Sequence, residues 1–324
     1  MLRDEIKKDI FKATKANKFE CKEEDIELSR TTDSKFGDFS SNIALKIRHE
    51  NKQSPHEIAK ILTDSLKECA YVEKLDVAGP GFINFYIRPE IWQSEVQNVL
   101  RSGDEFGSNE AGKGKSARVE FVSANPTGPL HFGNARGGPI GDALASVLEF
   151  SGYKVIREYI HNDIGGQVDK LGQSVINVAR GEKLEDQEYK GEYIRELAEK
   201  IKDEKEAKIA GKKAVDLIFE EIKEDCRAMG IIFDEFYPES EFVSSGDTKA
   251  DVDQLREKGF VKDKEGALWF APNDEFLNDR ETVVVKSDGA FTYFANDIAY
   301  HDLKFKGNPD LVIDVFGANH HGHV

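Results

Sequence analysis

His131 stands in a stretch of small and rigid residues, Asn125-Pro126-Thr127-Gly128-Pro129-Leu130-His131-Phe132-Gly133-Asn134-Ala135-Arg136-Gly137-Gly138. The apolar run Ala117-Arg118-Val119-Glu120-Phe121-Val122 before it reads as a buried parallel strand. Pro139–Phe150 after it reads as an amphipathic helix ended by Gly152. A strand therefore feeds a Gly/Pro loop, and the loop feeds a helix N-terminus. Free backbone N–H groups and the helix dipole favour anions at such a joint, and small residues let an anion approach. A histidine there can donate a hydrogen bond to a phosphoryl oxygen as charge builds during displacement. The bland alternative is a plain strand–turn–helix joint with an incidental histidine; the flanking glycines and the prolines before His131 weigh against it.

His320, His321 and His323 form a second concentration of reactive side chains, just after the apolar run Leu311–Phe316. Three histidines in four residues can ligate zinc, yet they lack cysteine or carboxylate partners at a useful spacing. Their position at a strand's C-terminal end points instead to the crevice of a doubly wound sheet, where substrate binds. Cys21, Cys69 and Cys226 are widely spaced with no C-x-x-C pair. That fits a reducing compartment and argues against a disulfide framework or a zinc site.

The elements that must hold these residues fall into two modules. Residues 1–110 read as a small α/β module beginning with a helix over Leu2–Ala16 and a short strand over Ile26–Arg30. A helix from about Asn42 to His49 follows, and the capping box Ser54-Pro55-His56-Glu57 opens another to about Glu68. Strands Val72–Val77 and Phe82–Ile87 flank Gly79-Pro80-Gly81, and Pro89 opens a helix to Arg101. The Gly-rich stretch Gly103–Gly114 reads as a linker. From Ala117 onward, the strand, the helix, a strand over Lys154–Ile160 and a helix from about Gly165 to Ala179 make a βαβ unit, hence a right-handed crossover in a parallel sheet. Residues 181–240 read as a charged helical insertion, with Ile194, Leu197 and Ile201 on one face and Ala214, Leu217, Ile218 and Ile222 on another. Thr282–Lys286 then reads as a strand, Asn296–Phe305 as a helix and Leu311–Phe316 as a further buried strand.

The chain has 324 residues, 33% of them charged, and a net charge of −16. No apolar stretch approaches membrane-spanning length, and the N-terminus lacks a signal-peptide core. A cytoplasmic protein without membrane contact is expected. The negative charge opposes nucleic-acid binding, but phosphate contacts depend on local patches more than on the sum. Residues 182–258 alone carry 14 Lys and Arg against 23 Asp and Glu, so more than half of the excess sits in one region.

Val119-Glu120-Phe121-Val122-Ser123-Ala124-Asn125-Pro126-Thr127-Gly128-Pro129-Leu130-His131 resembles the HIGH signature of class I aminoacyl-tRNA synthetases, in its arginyl-tRNA synthetase version. Three later stretches resemble the same family in the same order: Arg157–Gln167, Ser287–Tyr300 and Asp314–His323. One departure is visible, because the signature's second histidine is Asn134 here; Asn can donate a hydrogen bond but cannot become cationic.

The resemblance implies a class I synthetase-type, Rossmann-like parallel sheet in residues 111–324, with the insertion at about 181–240. It implies an N-terminal module, residues 1–110, that contacts the elbow of a tRNA. It maps Glu120, Asn125, Tyr293 and Asp297, together with His320, onto the arginine pocket: Glu120 and Asn125 at the α-amino end, Tyr293 and Asp297 at the guanidinium. A guanidinium must be desolvated and lysine rejected, so carboxylates that accept its forked N–H donors are needed. An ordinary helix-N-terminal acid is the competing account of Asp297. His131 and Asn134 would contact ATP phosphates as catalytic residues, and Gly133, Gly317 and Ala318 would leave room for the nucleotide.

The implied partners are ATP with Mg²⁺, L-arginine and tRNA(Arg), with no zinc; a monomer is expected. Phe36, Asn42 and Asn84 match the family's tRNA-contacting module. A core role competes for Phe36, Phe39, Phe82 and Phe85 and is expected to claim about three of the four, since small modules need large apolar side chains. Val284-Val285-Lys286-Ser287 imitates the family's lysine-rich KMSKS loop poorly, and no anticodon-binding domain follows. The chain is thus expected to be the N-terminal portion of a synthetase, inactive alone in aminoacylation. Two other functions stay open: a HIGH-type nucleotidyltransferase acting on another small acid, and a non-catalytic tRNA-binding fragment.

Overall fold

The computed structural model describes residues 2–47, 53–184, 186, 188–272 and 281–317. The chain divides into two compact units, Met1–Phe106 and Gly107–Val324.

The first unit opens with α1 (Leu2–Ala16), which buries Leu2, Ile6, Ile10 and Ala13 along one stripe. Strands β1 (Leu28–Arg30) and β2 (Phe39–Ser41) follow, then α2 (Ile43–Lys46) and α3 (Pro55–Leu66). The capping box at α3 is made in full: the Glu57 N–H donates to Ser54 Oγ at 3.3 Å and the Ser54 N–H to Glu57 Oε2 at 2.8 Å. Strands β3 (Val72–Ala78) and β4 (Phe82–Ile87) and helix α4 (Pro89–Ser102) complete it. The sheet is antiparallel in the order β1-β2-β4-β3. Phe39–Ser41, which the sequence reading passes over as a lead into a helix, is a strand because it pairs with β4 from Phe39↔Phe85 to Ser41↔Ile83. Helix α2 ends at Lys46 because the backbone at Ile47 is extended (ψ 124°), short of the helix expected to His49; residues 48 and 49 lie outside the described residues.

The second unit is built on a parallel sheet. Strand β5 (Ser116–Phe121) leads through the Gly/Pro loop to the single turn α5 (Phe132–Ala135) and to α6 (Gly137–Phe150). Strand β6 (Lys154–His161), α7 (Gly166–Ala179), α8 (Glu192–Ile201), α9 (Ala207–Ala228) and β7 (Glu235–Pro238) follow. Next come α10 (Glu239–Ser245), α11 (Asp247–Glu257), the strands β8 (Val261–Lys264), β9 (Ala267–Phe270) and β10 (Thr282–Val285), then α12 (Tyr293–Phe305) and β11 (Leu311–Val315). The parallel order is β11-β5-β6-β7, and β10-β9-β8 form a separate antiparallel sheet.

Helix α6 lies close on β5 because residue 141 is glycine: a Cβ there would overlap the Phe121 ring. Helices α7, α8 and α9 pack their apolar faces with Val119, Phe121 and Tyr159 into the unit's main core. The strand expected at Thr282 is present as β10, in the antiparallel sheet. Two features differ from the sequence reading. Residues 235–238, inside the stretch read as helical insertion, form the fourth strand of the parallel sheet. Helix α12 begins at Tyr293 and not at Asn296, because Thr292 caps it, accepting from the Ala295 N–H at 3.3 Å.

Candidate active site

Where β5 ends, the backbone turns sharply through two non-glycine residues in the left-handed region, Val122 (φ 66°) and Ser123 (φ 39°). A β-branched residue there is strained, and such strain persists only where the surroundings over-determine it. Three hydrogen bonds from β6 and its exit do so. Ser123 Oγ accepts from the Ile160 N–H at 3.3 Å, the Ala124 carbonyl from Tyr159 Oη at 2.8 Å, and Asn125 Oδ1 from the Asn162 N–H at 3.2 Å. The loop that carries His131 thus leaves the sheet in a defined direction.

Below that turn the parallel register aligns one acidic residue on each strand. Asp314 of β11 stands opposite Glu120 of β5, Glu120 opposite Glu158 of β6, and Glu158 opposite Glu235 of β7. Adjacent like charges repel, so the row requires cations. Lys304 of α12, wholly buried, donates to Glu120 Oε2 at 2.5 Å and also to Asp314. Arg118 pairs with Glu158 and donates to Glu235 Oε2 at 2.8 Å and to Tyr237 Oη at 2.7 Å. Tyr300 Oη donates to Glu158 Oε2 at 3.3 Å. Burial pushes the Glu120 carboxyl up, against the pull of Lys304, and pushes Glu158 up against Arg118. Burial also opposes ionisation of Asp314, but hydrogen bonds from His301 and Lys304 and their charges hold it well below the usual carboxylate range. Ligand atoms of Glu120, His301 and Asp314 lie within 4.8 Å of one another, a spacing a metal ion would accept. The Lys304 ammonium stands between the two carboxylates, so the cation in this cluster belongs to the chain.

Above the row opens a cleft of about 1640 Å³. Glu120, Asn125, Tyr293, Asp297 and Gly317 all line it, from β5, α12 and the end of β11. Tyr293 and Asp297 are one turn apart at the start of α12. His131, Gly133 and Asn134 do not line this cleft. His131 is the N-cap of the single turn α5, all three residues are exposed, and the neighbouring Phe132 is 84% exposed. Ala318 and His320 lie outside the described residues, as do His321 and His323. In the first unit Phe36 is exposed beneath the Lys35 ammonium, and Asn42 donates from Nδ2 to Glu27 Oε2 at 2.8 Å. Asn84 is 4% exposed in β4, on the sheet face opposite the core residues Ile83 and Phe85. Of the four phenylalanines, Phe85 is fully buried, Phe39 packs against the core, and Phe36 and Phe82 are exposed, so the core claims two where three are expected.

Three residues that the sequence reading missed shape the site: Glu239 and His301 line the cleft, and Lys304 holds Glu120 and Asp314. Glu239 follows β7; burial, with Asp297 and Asp163 nearby, pushes its carboxyl up to about 7 against a hydrogen bond from Asn296 Nδ2 at 3.1 Å. Its sequence signal is lost among the many acids around it. His301 and Lys304 were findable: Tyr293, Asp297, His301 and Lys304 stand at i, i+4, i+8 and i+11, one stripe of a helix.

A strained strand–loop–helix joint beside an acid-lined crevice, at the C-terminal ends of parallel strands, defines a doubly wound α/β protein of the nucleotide-binding type. Comparison with known proteins sharpens this. Residues 1–87 match the arginyl tRNA synthetase N terminal domain, and residues 95–189 and 173–323 the catalytic domain of class I (R) tRNA synthetases. The chain therefore belongs to the arginyl-tRNA synthetase family of class I. An arginine–tRNA ligase of Citrifermentans bemidjiense is 39% identical over 316 residues, covering 92% of this chain and 57% of the relative. Two solved structures share the fold. Arginyl-tRNA synthetase of Plasmodium falciparum has TM-score 0.64 and 18% identity, over 99% of this chain and 60% of that one. That of Thermus thermophilus has TM-score 0.61 and 24% identity, over 93% and 53%. The chain spans 57–61% of the length of the curated relatives it matches. Among the described residues no helix is long and apolar enough to cross a membrane.

Proposed function

We propose that this protein activates L-arginine with ATP, as part of an arginine–tRNA ligase, for transfer to the terminal ribose of tRNA(Arg). The observation that carries the reading is the pair of neighbouring acids that line the cleft, Asp297 and Glu239, together with Tyr293 one turn before Asp297. A forked cation brought to them would offset the burial and the acidic neighbours that raise Glu239, and its donors would meet carboxylate oxygens and a phenol. The cleft volume of about 1640 Å³ exceeds the roughly 300–1,000 Å³ of an ordinary small-molecule site and suits an amino acid beside a nucleotide.

In the reaction, an oxygen of the arginine carboxylate attacks the α-phosphorus of ATP in line, forming the acyl–phosphate bond as pyrophosphate leaves. Little covalent work falls to the protein; positioning and charge stabilisation lower the barrier. Asn125 and Glu120 would orient the α-amino end, with Glu120 held in place by Lys304. His131 and Asn134 would face the phosphates and Gly133 and Gly317 leave room for the nucleoside, with Ala318 and His320 completing the nucleotide and amino-acid ends. Mg²⁺ would come with ATP, held mainly by phosphates and water, with no zinc needed. The N-terminal module of residues 1–110 would touch the tRNA elbow through Phe36 and Asn42. The setting proposed is a cytoplasmic monomer.

Amino-acid-dependent ATP–pyrophosphate exchange, with and without tRNA, tests this. Arginine alone should drive exchange. Asp297→Asn should weaken arginine binding by about 1.5–3 kcal/mol, the worth of a charge-assisted hydrogen bond, and leave ATP affinity nearly unchanged. Exchange driven equally by lysine, or equal losses for arginine and ATP in the variant, would overturn the assignment.

A further inference from the structure

Resting on the arginine reading of the cleft, we propose that His301 is its exchangeable cation: protonated while the cleft is empty, and deprotonated when a guanidinium settles at Asp297. His301 Nδ1 is 2.8 Å from the backbone carbonyl oxygen of Asp297, and Nε2 is 3.3 Å from Asp314 Oδ2. A carbonyl only accepts, and so does an ionised carboxylate. A neutral imidazole has one N–H, so one ring nitrogen would turn a lone pair toward an oxygen; the imidazolium satisfies both.

The charges around the ring favour the same state. From β11 comes Asp314, from β5 comes Glu120, and on its own helix lie the Asp297 carboxylate, with Oδ1 3.6 Å from Nδ1, and the Lys304 ammonium. Among the described residues, three acids therefore face the ring and one other cation. The hydrogen bond to Asp314, followed by the carbonyl and charge of Asp297, raises the imidazole above its ordinary value against burial and Lys304.

The two cations of the cluster are not equivalent. Lys304 is wholly buried and locked between Glu120 and Asp314, whereas His301 is about a third exposed and lines the cleft. Only His301 can pass a proton to solvent. A guanidinium cannot lose its own proton near neutral pH, so two cations would compete for Asp297, and His301 is the one able to yield. Arginine binding would then release a proton and weaken by up to about tenfold for each pH unit below the imidazole's pKa. Glu239 titrates in the same cleft and would release a proton as well, so the His301 share must be isolated by substitution.

Nitrogen-15 NMR of the histidine side chains in the ligand-free protein should find the His301 ring doubly protonated at neutral pH. Calorimetry with L-arginine in two buffers of different ionisation heat should find proton release, and His301→Gln should release fewer protons and bind arginine with a flatter pH profile. Equal release by wild type and His301→Gln, with arginine still bound, would overturn the exchange while leaving the arginine site intact. A neutral His301 ring in the empty protein would overturn it too. A protonated ring in a protein that does not bind arginine would instead remove the arginine reading, and the exchange with it, while keeping His301 as the cleft's resident cation.

Discussion

The acidic wall and the phosphate-type loop belong to one compact unit and are built on opposite terms. In the wall, four carboxylates stand side by side across four strands, each meeting a cation or a phenol on α12 or β5. Two of the four, Glu120 and Asp314, line the cleft as well. The loop that follows β5 leaves through a strained root held by three hydrogen bonds, while His131, Gly133 and Asn134 face solvent. A charged substrate end needs a desolvated, pre-compensated surface, which only packing can supply. A phosphate needs N–H groups and room, which a short exposed turn supplies. The contrast teaches that substitutions should separate stability from chemistry in the loop and fail to separate them in the wall.

Three substitutions press on that contrast. Lys304→Met should have the largest effect, since it leaves buried Glu120 beside half-buried Asp314 without their shared cation. Removing one partner of a buried ion pair costs about 3–5 kcal/mol, which urea unfolding would read. A loss below 1 kcal/mol would mean that the wall adjusts by taking up protons, and the contrast with the loop would shrink.

Glu239→Gln ranks second and appears as a pH slope. The folded carboxyl titrates at about 7 against an ordinary 4.5, so between those values the folded state holds a proton that the unfolded state has lost. Its contribution is therefore full below pH 4.5 and declines as pH rises to 7, by on the order of 3 kcal/mol. The glutamine variant should lack this decline, as should the wild type saturated with arginine. An identical pH profile for both proteins would mean that Glu239 is solvated and not desolvated in the cleft.

His131→Ala should have the smallest effect on folding, within about 0.5 kcal/mol, because the side chain is exposed. Arginine adenylation should nonetheless slow by on the order of a hundredfold, as the loss of one preorganised transition-state donor does. An unfolded variant, or an unchanged rate, would abolish the distinction between loop and wall.

Much of this was readable along the chain because it is local. Helix α1 follows from its apolar spacing, α3 from Ser54 and Glu57, and the strand–loop–helix joint from the order of apolar, small and helical residues around His131. Tyr293 and Asp297 are one turn apart whatever surrounds them. What stayed hidden is set by partners far away in sequence. Lys304 meets Glu120 across 184 residues, and Glu235 becomes part of a sheet only because β7 pairs with β6. No periodicity of Phe236 and its neighbours distinguishes that strand from the charged helices before it. The row Asp314, Glu120, Glu158, Glu235 exists only through parallel register, which the packing of whole strands decides. The sequence by itself determined the local elements and the residue types able to touch phosphate and guanidinium. Tertiary structure alone decided which acids stand together and which cations neutralise them, because charge compensation in a buried cleft is a property of distances across the fold.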